Sequence, residues 1–340
     1  MAGSGVETDV AIIGAGPVGL FAVFECGMLG LACHVIDALA APGGQCSALY
    51  PEKPIYDIPG HPTIAAAALI ARLEEQAAPF APAYHLDQQV EQMARTTDGR
   101  FRIATSRHTV IDAKAVIVAA GVGAFGPNRP PLAEIERYEG KSVFYLVTRR
   151  EAFRDQRIVI AGGGDSAVDW AISLAEVAAR VMVVHRRAKF RAAPESAARL
   201  DALAKAGRID LVIPYQLSGL DGADGQLTAV TVADLAGEER RLEADVLLPF
   251  FGLSMNLGPI AQWGLALEHH HVAVAPATCM SSTPGIFAIG DIATYPGKLK
   301  LILSGFAEAA LAAHAIYPLV HPGAALHFEY STTKGVPGKI

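Results

Sequence analysis

Two glycine-rich stretches have the residue spacing that binds the phosphates of a dinucleotide. In such motifs the glycines allow a tight turn, close approach of the backbone to the pyrophosphate and close packing of a helix on a strand. The phosphates lie at the N-terminus of that helix, where backbone N–H groups are free. The patterns are GxGxxG and GxGxxA, and they predict two sites in one chain, one formed by Gly14, Gly16, Pro17 and Gly19 and the other by Gly162, Gly164, Asp165 and Ser166.

The residues that follow the next strand after each motif differ in charge. Asp37 comes about 20 residues after the first glycines, where a carboxylate accepts hydrogen bonds from a ribose 2′-OH. Guanidinium groups bind a 2′-phosphate through paired hydrogen bonds, whereas a carboxylate repels it. The first site is therefore expected to prefer a nucleotide without the 2′-phosphate and the second NADP, unless the basic run is a solvated surface loop. The residues that replace the acid at the second site are His185, Arg186, Arg187 and Arg191.

Each motif lies between elements that would position it. Short runs rich in Val and Ile are typical of parallel strands buried on both faces. Apolar residues at helical spacing follow both motifs, and Pro17 suits the first turn of a helix because its missing N–H would have no partner there. The pattern predicts an α/β fold with two Rossmann-like domains, built on strands 9–13, 33–36, 157–161 and 181–184 and on helices 17–29 and 168–178.

Other segments add to this frame. Residues 89–93 and 101–105 are strand-like and are joined through the Asp98-Gly99 turn, which predicts a hairpin. Residues 41–51 are rich in turn formers and predict a loop that lines a ligand. The proline-rich segment 127–131 marks a linker or crossover between domains.

The third motif is Gly290-Asp291, near the C-terminal end of the chain. The apolar run 286–289 leads into Gly290-Asp291, which places a carboxylate at a strand end. We expect Asp291 to accept a hydrogen bond from the ribityl and phosphate part of a flavin dinucleotide; the alternative is a helix N-cap or turn aspartate. A helix is predicted from Phe306 to about residue 316, and its positive end would face the flavin N1/O2 edge.

Composition excludes several classes of protein. The 340 residues carry a net charge of −6 with a pI near 6.0, which argues against nucleic-acid binding. The three consecutive histidines before Val272 do not converge on one centre, and we expect no metal site. The apolar stretch 299–320 contains Glu308, which favours a buried helix over a membrane span. The four cysteines form no CxxC and no zinc-like spacing, which fits a reducing cytoplasm: Cys26, Cys33, Cys46 and Cys279.

Taken together, these motifs resemble the bacterial thioredoxin-reductase-like ferredoxin–NADP reductases, a branch of the flavoprotein disulfide reductases. The segments that carry the resemblance beyond the glycines are Gly43-Gly44-Gln45, Leu49-Tyr50-Pro51-Glu52-Lys53, Asp165-Ser166-Ala167-Val168-Asp169-Trp170, His185-Arg186-Arg187, Leu257-Gly258-Pro259-Ile260 and Gly290-Asp291.

The resemblance implies a fold and a set of site residues. Each domain would have the three-layer ββα form, with an NADP domain (125–250) inserted in an FAD domain (1–124 and 251–340), and the protein would be a homodimer. Tyr50 would stack on one face of the flavin and Tyr330, from the C-terminal extension, on the other. Ser331 and Thr332 would lie near the flavin N5 edge, with Thr332 also contacting FAD. Further FAD contacts are expected from Gln45 and Val90.

The absence of a CxxC pair argues against disulfide reduction and in favour of another reaction of this group of flavoproteins. Thioredoxin reductases pass electrons from flavin to a CxxC, and this sequence has none. We therefore predict hydride exchange between NADPH and non-covalent FAD, coupled to one-electron transfer to or from an iron–sulfur carrier, by a ferredoxin (or flavodoxin):NADP oxidoreductase. One alternative is an NAD(P)H-dependent flavin reductase or oxidase acting on oxygen, quinone or ferric chelates. Another is a nucleotide sensor without enzymatic activity.

Overall fold

The computed structural model describes residues 5–326 and 331–336, and the chain divides into two compact units. The first unit combines residues up to 125 with those from 255 onward, and the second consists of residues 126–254. The predicted limits of the inserted domain lie close to the ends of this second unit. This division of the chain does not show which nucleotide each unit binds.

A mostly parallel sheet forms the centre of the first unit. The strand before the first glycine motif pairs in parallel with Cys33–Ile36 on one side and with Val110–Val118 on the other. Val110–Val118 also pairs in parallel with Ile286–Ala288, which comes after the second unit in sequence. The order across the sheet is Ala83–His85, Cys33–Ile36, Val6–Ile13, Val110–Val118, Phe101–Thr105 and Val90–Arg95, the last two being antiparallel.

Both faces of this sheet are covered, so the first unit has three layers. Val10 and Ile12 pack on one face against helices Pro17–Met28 and Ile302–Val320. Ala11 and Ile13 point to the opposite face and pack against the antiparallel strands. Because alternate residues enter two different cores, all four must be apolar, and this explains the continuous hydrophobic run in the sequence.

Smaller elements complete the first unit. Three short strands form a separate sheet, and a two-stranded ribbon lies after the loop that carries Tyr50. The remaining elements are helices Gln45–Ala48, Ala66–Ala77 and Ser331–Lys334, 3-10 turns Ala78–Phe80, Gly258–Gln262 and Gly290–Ile292, and strands Pro54–Ile55, Ile64–Ala65, Leu267–Glu268, His271–Ala273 and Ala293–Thr294.

The second unit repeats the three-layer plan on a smaller scale. Four parallel strands lie in the order Asp210–Val212, Arg180–Val184, Arg157–Ala161 and Val246–Pro249. Helices cover one face of this sheet, and an antiparallel sheet packs on the other. The other elements are helices Asp165–Leu174 and Pro194–Lys205, 3-10 turns Ile135–Arg137 and Arg150–Phe153, and strands Gln216–Ala223, Gln226–Ala233 and Glu239–Glu243; strands Ala124–Pro127 and Leu253–Asn256 lie at the unit boundaries. The predicted fold class, two three-layer α/β domains with one inserted in the other, is confirmed.

The last long helix begins earlier than its sequence indicates. We predicted a start at Phe306 because Ser304-Gly305 resembles a helix boundary, but the helix spans Ile302–Val320. Gly305 has a packing role instead, since a Cβ at this position would lie 2.3 Å from Cγ2 of Val18. By length and hydropathy alone this helix is one that would cross a membrane, although a third of it is buried within its own unit.

Candidate functional site

A cavity of about 430 Å³ opens in the first unit at the carboxyl ends of the parallel strands. Ligands of open α/β sheets bind at this edge. The cavity brings together residues that are far apart in sequence, contributed by the glycine turn, the strand ends, the Tyr50 loop and the start of helix Ile302–Val320. Of the residues predicted to bind FAD, those that line it are Gly14, Gly16, Pro17, Asp37, Gln45, Tyr50, Val90 and Asp291.

The glycines of the first motif have separate structural roles. Gly14 has a φ of +113°, and a Cβ there would lie 2.3 Å from the Ala119 carbonyl oxygen. Gly19 also packs closely, since its Cβ would lie 1.9 Å from the Gly14 carbonyl oxygen. Around Gly16, by contrast, a Cβ would meet no described protein atom within 4 Å. Gly16 therefore leaves open space on the cavity side, as the close approach of a phosphate requires.

The helix that starts after Gly16 has free donors at its first turn. Gly16 is the N-cap of Pro17–Met28, and no side chain caps it. The free N–H groups and the positive end of the helix favour an anion at this position. The open space at Gly16 and these uncapped donors fit the pyrophosphate of a dinucleotide.

Asp37 connects the strand end to the glycine turn. Its carboxylate accepts the Ala15 N–H at 2.6 Å through Oδ2 and the Leu39 N–H at 2.8 Å through Oδ1. Burial raises the pKa of Asp37, and these two hydrogen bonds oppose that rise. Each carboxylate oxygen keeps a further lone pair, which can accept a ribose hydroxyl. The residue thus has a structural role that its sequence position did not reveal.

At Tyr50 the cavity wall is apolar. The Tyr50 side chain belongs to a cluster that includes Leu20, Ile302 and Phe306. Its hydroxyl accepts a weak hydrogen bond from the Cys46 thiol at 3.9 Å. Burial raises the pKa of both groups, so Tyr50 and Cys46 are uncharged near neutral pH. A neutral, partly buried aromatic ring suits stacking rather than proton transfer. Cys46 was not predicted as a site residue, although it directly follows Gln45 and lines the cavity.

Asp291 lies in the 3-10 turn Gly290–Ile292. The turn lines the cavity together with Ile302, the first residue of the long helix. No side chain caps that helix, and its N-cap Leu301 also lines the cavity, so the positive end of the helix lies at the cavity. The Gly290 N–H donates to the buried carboxylate of Glu308 at 2.7 Å. Sequence reasoning missed this bond because the two residues are 18 positions apart, and Glu308 shows no motif of its own.

Of the predicted C-terminal site residues, the structure describes the side chain of Thr332. Tyr330 lies outside the described residues, as does the side chain of Ser331. Thr332 is exposed on the short helix Ser331–Lys334 and does not line the cavity.

The second glycine motif also precedes an uncapped helix. Gly164 is the N-cap of Asp165–Leu174, and a Cβ on Gly164 would meet no described atom within 4 Å. Gly162 packs closely, since its Cβ would lie 2.6 Å from the Phe250 carbonyl oxygen. Asp165 and Ser166 are exposed on the first turn, and Asp165 accepts the Ala193 N–H at 2.9 Å. This turn therefore has the same open, donor-rich form as the first.

The basic loop folds back on this glycine turn. The Arg191 N–H donates to the Gly163 carbonyl oxygen at 2.7 Å. Arg186, Arg187 and Arg191 are exposed, and within the described part of the chain none of them forms an ion pair. Three uncompensated guanidinium groups beside a helix N-terminus make a strong site for a phosphate.

His185 lies buried beneath the second glycine motif. The residue is 8% exposed, and its ring packs on Gly163 and stacks on Phe190 with centroids 5.1 Å apart. Burial and the neighbouring arginines lower its pKa, so the ring is neutral near pH 7. Among the described residues nothing pairs with its Nε2. The neutral ring therefore packs beneath the glycine turn, and the positive charge of this loop comes from the arginines.

The described residues contain no cluster of three or more His, Cys, Asp or Glu side chains that would hold a metal ion. All four cysteines are buried and free.

Comparison with known proteins supports this picture. The sequence profile of the pyridine nucleotide-disulphide oxidoreductase family matches residues 8–315. A ferredoxin–NADP reductase of Rhodospirillum rubrum is 66% identical over 98% of this chain and 97% of its own length. One from Paramagnetospirillum magneticum is 66% identical over 97% of this chain and 98% of its own length.

Solved structures agree on the fold. Thioredoxin reductase from Lactococcus lactis superposes with a TM-score of 0.79 at 24% identity, over 92% of this chain and 99% of that one. The T. acidophilum enzyme gives the same score and identity over 92% and 98% of the two chains.

Proposed function

The chain belongs to the pyridine nucleotide-disulphide oxidoreductase family, and from this premise we propose that it is a ferredoxin–NADP reductase carrying FAD and using NADP(H). The resemblance drawn from the motifs is confirmed by the family match and the relatives. One observation supports the reaction above others: the chain has two nucleotide motifs of opposite charge preference and no CxxC to receive electrons. A thioredoxin reductase passes its electrons through such a pair.

The first unit is proposed as the FAD domain. The uncapped helix after Gly16 would bind the pyrophosphate, Asp37 the adenosine ribose and Asp291 the ribityl chain. Tyr50 would cover one face of the flavin ring, with Gln45 and Val90 as further contacts. The positive end of helix Ile302–Val320 would stabilise negative charge on the ring's pyrimidine edge. When bound, FAD supplies the exchange between two-electron and one-electron transfer.

The second unit is proposed as the NADP domain. The helix after Gly164 would receive the pyrophosphate, and Arg186, Arg187 and Arg191 the 2′-phosphate. The neutral ring of His185 supports the turn without adding charge. The hydrogen bond from the Arg191 N–H to the Gly163 carbonyl oxygen brings the basic loop to the glycine turn, and this supports the assignment over a merely solvated loop.

Finer features of the proposal come from the resemblance. Ferredoxin is the proposed electron carrier, with flavodoxin as a substitute. We also propose a cytoplasmic homodimer that binds neither membrane nor nucleic acid. Buried Glu308 in helix Ile302–Val320 supports a place for this helix within the protein. Tyr330 is proposed to cover the second face of the flavin, with Ser331 and Thr332 near its N5 edge.

Stopped-flow spectroscopy tests the function. The purified protein should be yellow, should be reduced faster by NADPH than by NADH, and should pass electrons to ferredoxin much faster than to oxygen. Equal turnover with oxygen, quinone or ferric chelates would instead favour the flavin reductase alternative. A colourless protein that FAD cannot reconstitute would reject both enzymatic readings.

A further inference from the structure

A buried ion pair lies directly behind the Gly290–Asp291 turn. The Glu308 carboxylate accepts the Gly290 N–H at 2.7 Å through Oε2 and the Tyr295 hydroxyl at 2.7 Å through Oε1. Oε1 also accepts the Lys298 ammonium group. The Glu308 and Lys298 side chains are 3% and 5% exposed. The proposed electron transfer uses neither of them.

Burying such a pair is unfavourable unless close contact and further hydrogen bonds offset the desolvation of both charges. Desolvation of two charges often exceeds their attraction, and apolar replacements are frequently neutral or stabilising. Here one carboxylate oxygen bonds to the backbone rather than to a side chain. That backbone belongs to Gly290, whose φ of +73° lies in the left-handed region. Glu308 therefore holds a turn whose shape an ordinary residue would rarely adopt.

The turn and two helices meet the cavity at one place. Val18, from the first glycine motif, contacts both the Gly290 turn and Gly305: a Cβ on Gly290 would lie 3.4 Å, and one on Gly305 2.3 Å, from Cγ2 of Val18. Glu308 is one helical turn beyond Gly305, on a buried face. Val18, Gly290 and Asp291 all line the cavity. The polar contact made by Glu308 thus fixes the turn to the helix whose first residue also lines the cavity.

We propose that Glu308, with its charge balanced by Lys298, is a positioning residue for FAD: it holds the Gly290–Asp291 turn in the shape that binds the cofactor. This inference rests on the proposed function, because it takes FAD to be the ligand of the cavity. It assigns the buried pair to cofactor binding rather than to general stability.

A set of four variants tests the proposal on apoprotein, with FAD affinity measured by quenching of flavin fluorescence. Glu308→Ala leaves the Gly290 N–H without an acceptor, and Glu308→Gln leaves the Lys298 ammonium without a counter-charge. Both should raise the Kd for FAD about tenfold or more, since an unsatisfied buried group is costly. Lys298→Met should do the same by stranding the carboxylate.

The double variant Glu308→Gln with Lys298→Met tests whether a neutral acceptor for the Gly290 N–H is sufficient for FAD binding. Its amide oxygen can still accept the Gly290 N–H, and no unpaired charge remains. FAD affinity should therefore return to within about twofold of the wild-type value. If Glu308→Ala does not fold, the comparison of Glu308→Gln with the double variant decides the question. Wild-type affinity in the single variants, or no recovery in the double variant, would overturn the proposal.

Asp9 provides a matched control in the same unit. Its carboxylate also accepts a lysine, Lys114 at 2.8 Å, and a backbone N–H, that of Ala32 at 3.0 Å. It lies away from the cavity, in the first half of strand Val6–Ile13. Asp9→Asn should lower the melting temperature and leave the Kd for FAD unchanged; an equal loss of FAD affinity would overturn the proposal. Failure of the wild-type apoprotein to bind FAD would reject the proposed function itself.

Discussion

The ring of His185 lies directly on the Cα atom of Gly163. A Cβ at Gly163 would be 2.2 Å from Cε1 of the ring and 2.4 Å from Nε2. The GxGxxA pattern does not require glycine at this position, because it is one of the variable residues of the motif. The middle glycine of the run Gly162-Gly163-Gly164 is explained by the buried histidine, which needs the space that a side chain would fill.

Replacing Gly163 by alanine should therefore weaken NADPH binding. The new methyl group would push the His185 ring away and displace the turn that carries the phosphate donors. Overpacking of this kind raises the Kd for NADPH about tenfold or more. Titration of NADPH followed by protein fluorescence measures the change. Gly219→Ala is the matched control, since its Cβ would make an ordinary 3.5 Å contact with Thr231 and should leave the Kd unchanged.

Removing the arginines after His185 should change nucleotide preference. Arg186→Ala combined with Arg187→Ala removes charge-assisted hydrogen bonds to a 2′-phosphate, which NADH lacks. The KM for NADPH should rise about a hundredfold while the KM for NADH changes little. Steady-state kinetics with both nucleotides measures the ratio. Arg180→Ala, which removes only the exposed pair with Asp210, should leave it unchanged; equal losses for NADPH and NADH in the double variant would reject the 2′-phosphate role.

The acid sensitivity of the second unit should depend on His185. Burial lowers the pKa of His185 below its usual 6.5, so the unfolded chain binds a proton that the folded chain does not. This contribution to stability is present above pH 6.5 and is lost as the pH falls below it. His185→Phe keeps a flat ring and removes the titration. The drop in melting temperature between pH 7.5 and 5.5 should be smaller in this variant; an equal drop would contradict the prediction.

Gly14 and Gly16 of the first motif should respond differently to alanine. A Cβ at Gly14 would collide with the Ala119 carbonyl, so Gly14→Ala should lower the melting temperature of the apoprotein. Gly16→Ala meets no described protein atom, so the apoprotein should stay stable while the Kd for FAD rises about tenfold or more. Calorimetry and FAD titration separate the two effects. Unchanged FAD affinity in Gly16→Ala would show that the phosphate does not approach this residue.

Residue spacing predicted the elements whose structure depends on neighbouring residues in the sequence. Strand 33–36 and the glycine turns follow from residue spacing, and so does Asp37 at its strand end. The start of helix Ile302–Val320 was misjudged because Gly305 serves contact with Val18, which is nearly the whole chain away in sequence. The sequence position of His185 gave no sign of its burial, because its neighbours Gly163 and Phe190 contact it only in the folded loop.

The contacts of Glu308 show the same limit. Its sequence surroundings are those of any apolar helix, and its partners come from the preceding loop and turn. Nothing in the order of residues indicates that the Gly290 N–H needs an acceptor from the helix. Such links between distant segments appear only when the segments are packed together.

Tyr50 should act through its ring and not through its hydroxyl. Burial raises the pKa of the hydroxyl, and its described partner is the uncharged Cys46 thiol, so it has no route to release a proton near neutral pH. The flavin of Tyr50→Phe should therefore be reduced and reoxidised at rates within about twofold of those of the wild type. Tyr50→Ala removes the stacking ring and should raise the Kd for FAD about tenfold. Tyr56→Ala, in the loop between ribbon strands Pro54–Ile55 and Ile64–Ala65 and 70% exposed, is the control and should leave FAD binding unchanged. Stopped-flow reduction by NADPH together with FAD titration gives both quantities, and a loss of turnover in Tyr50→Phe as large as in Tyr50→Ala would assign the hydroxyl a catalytic role.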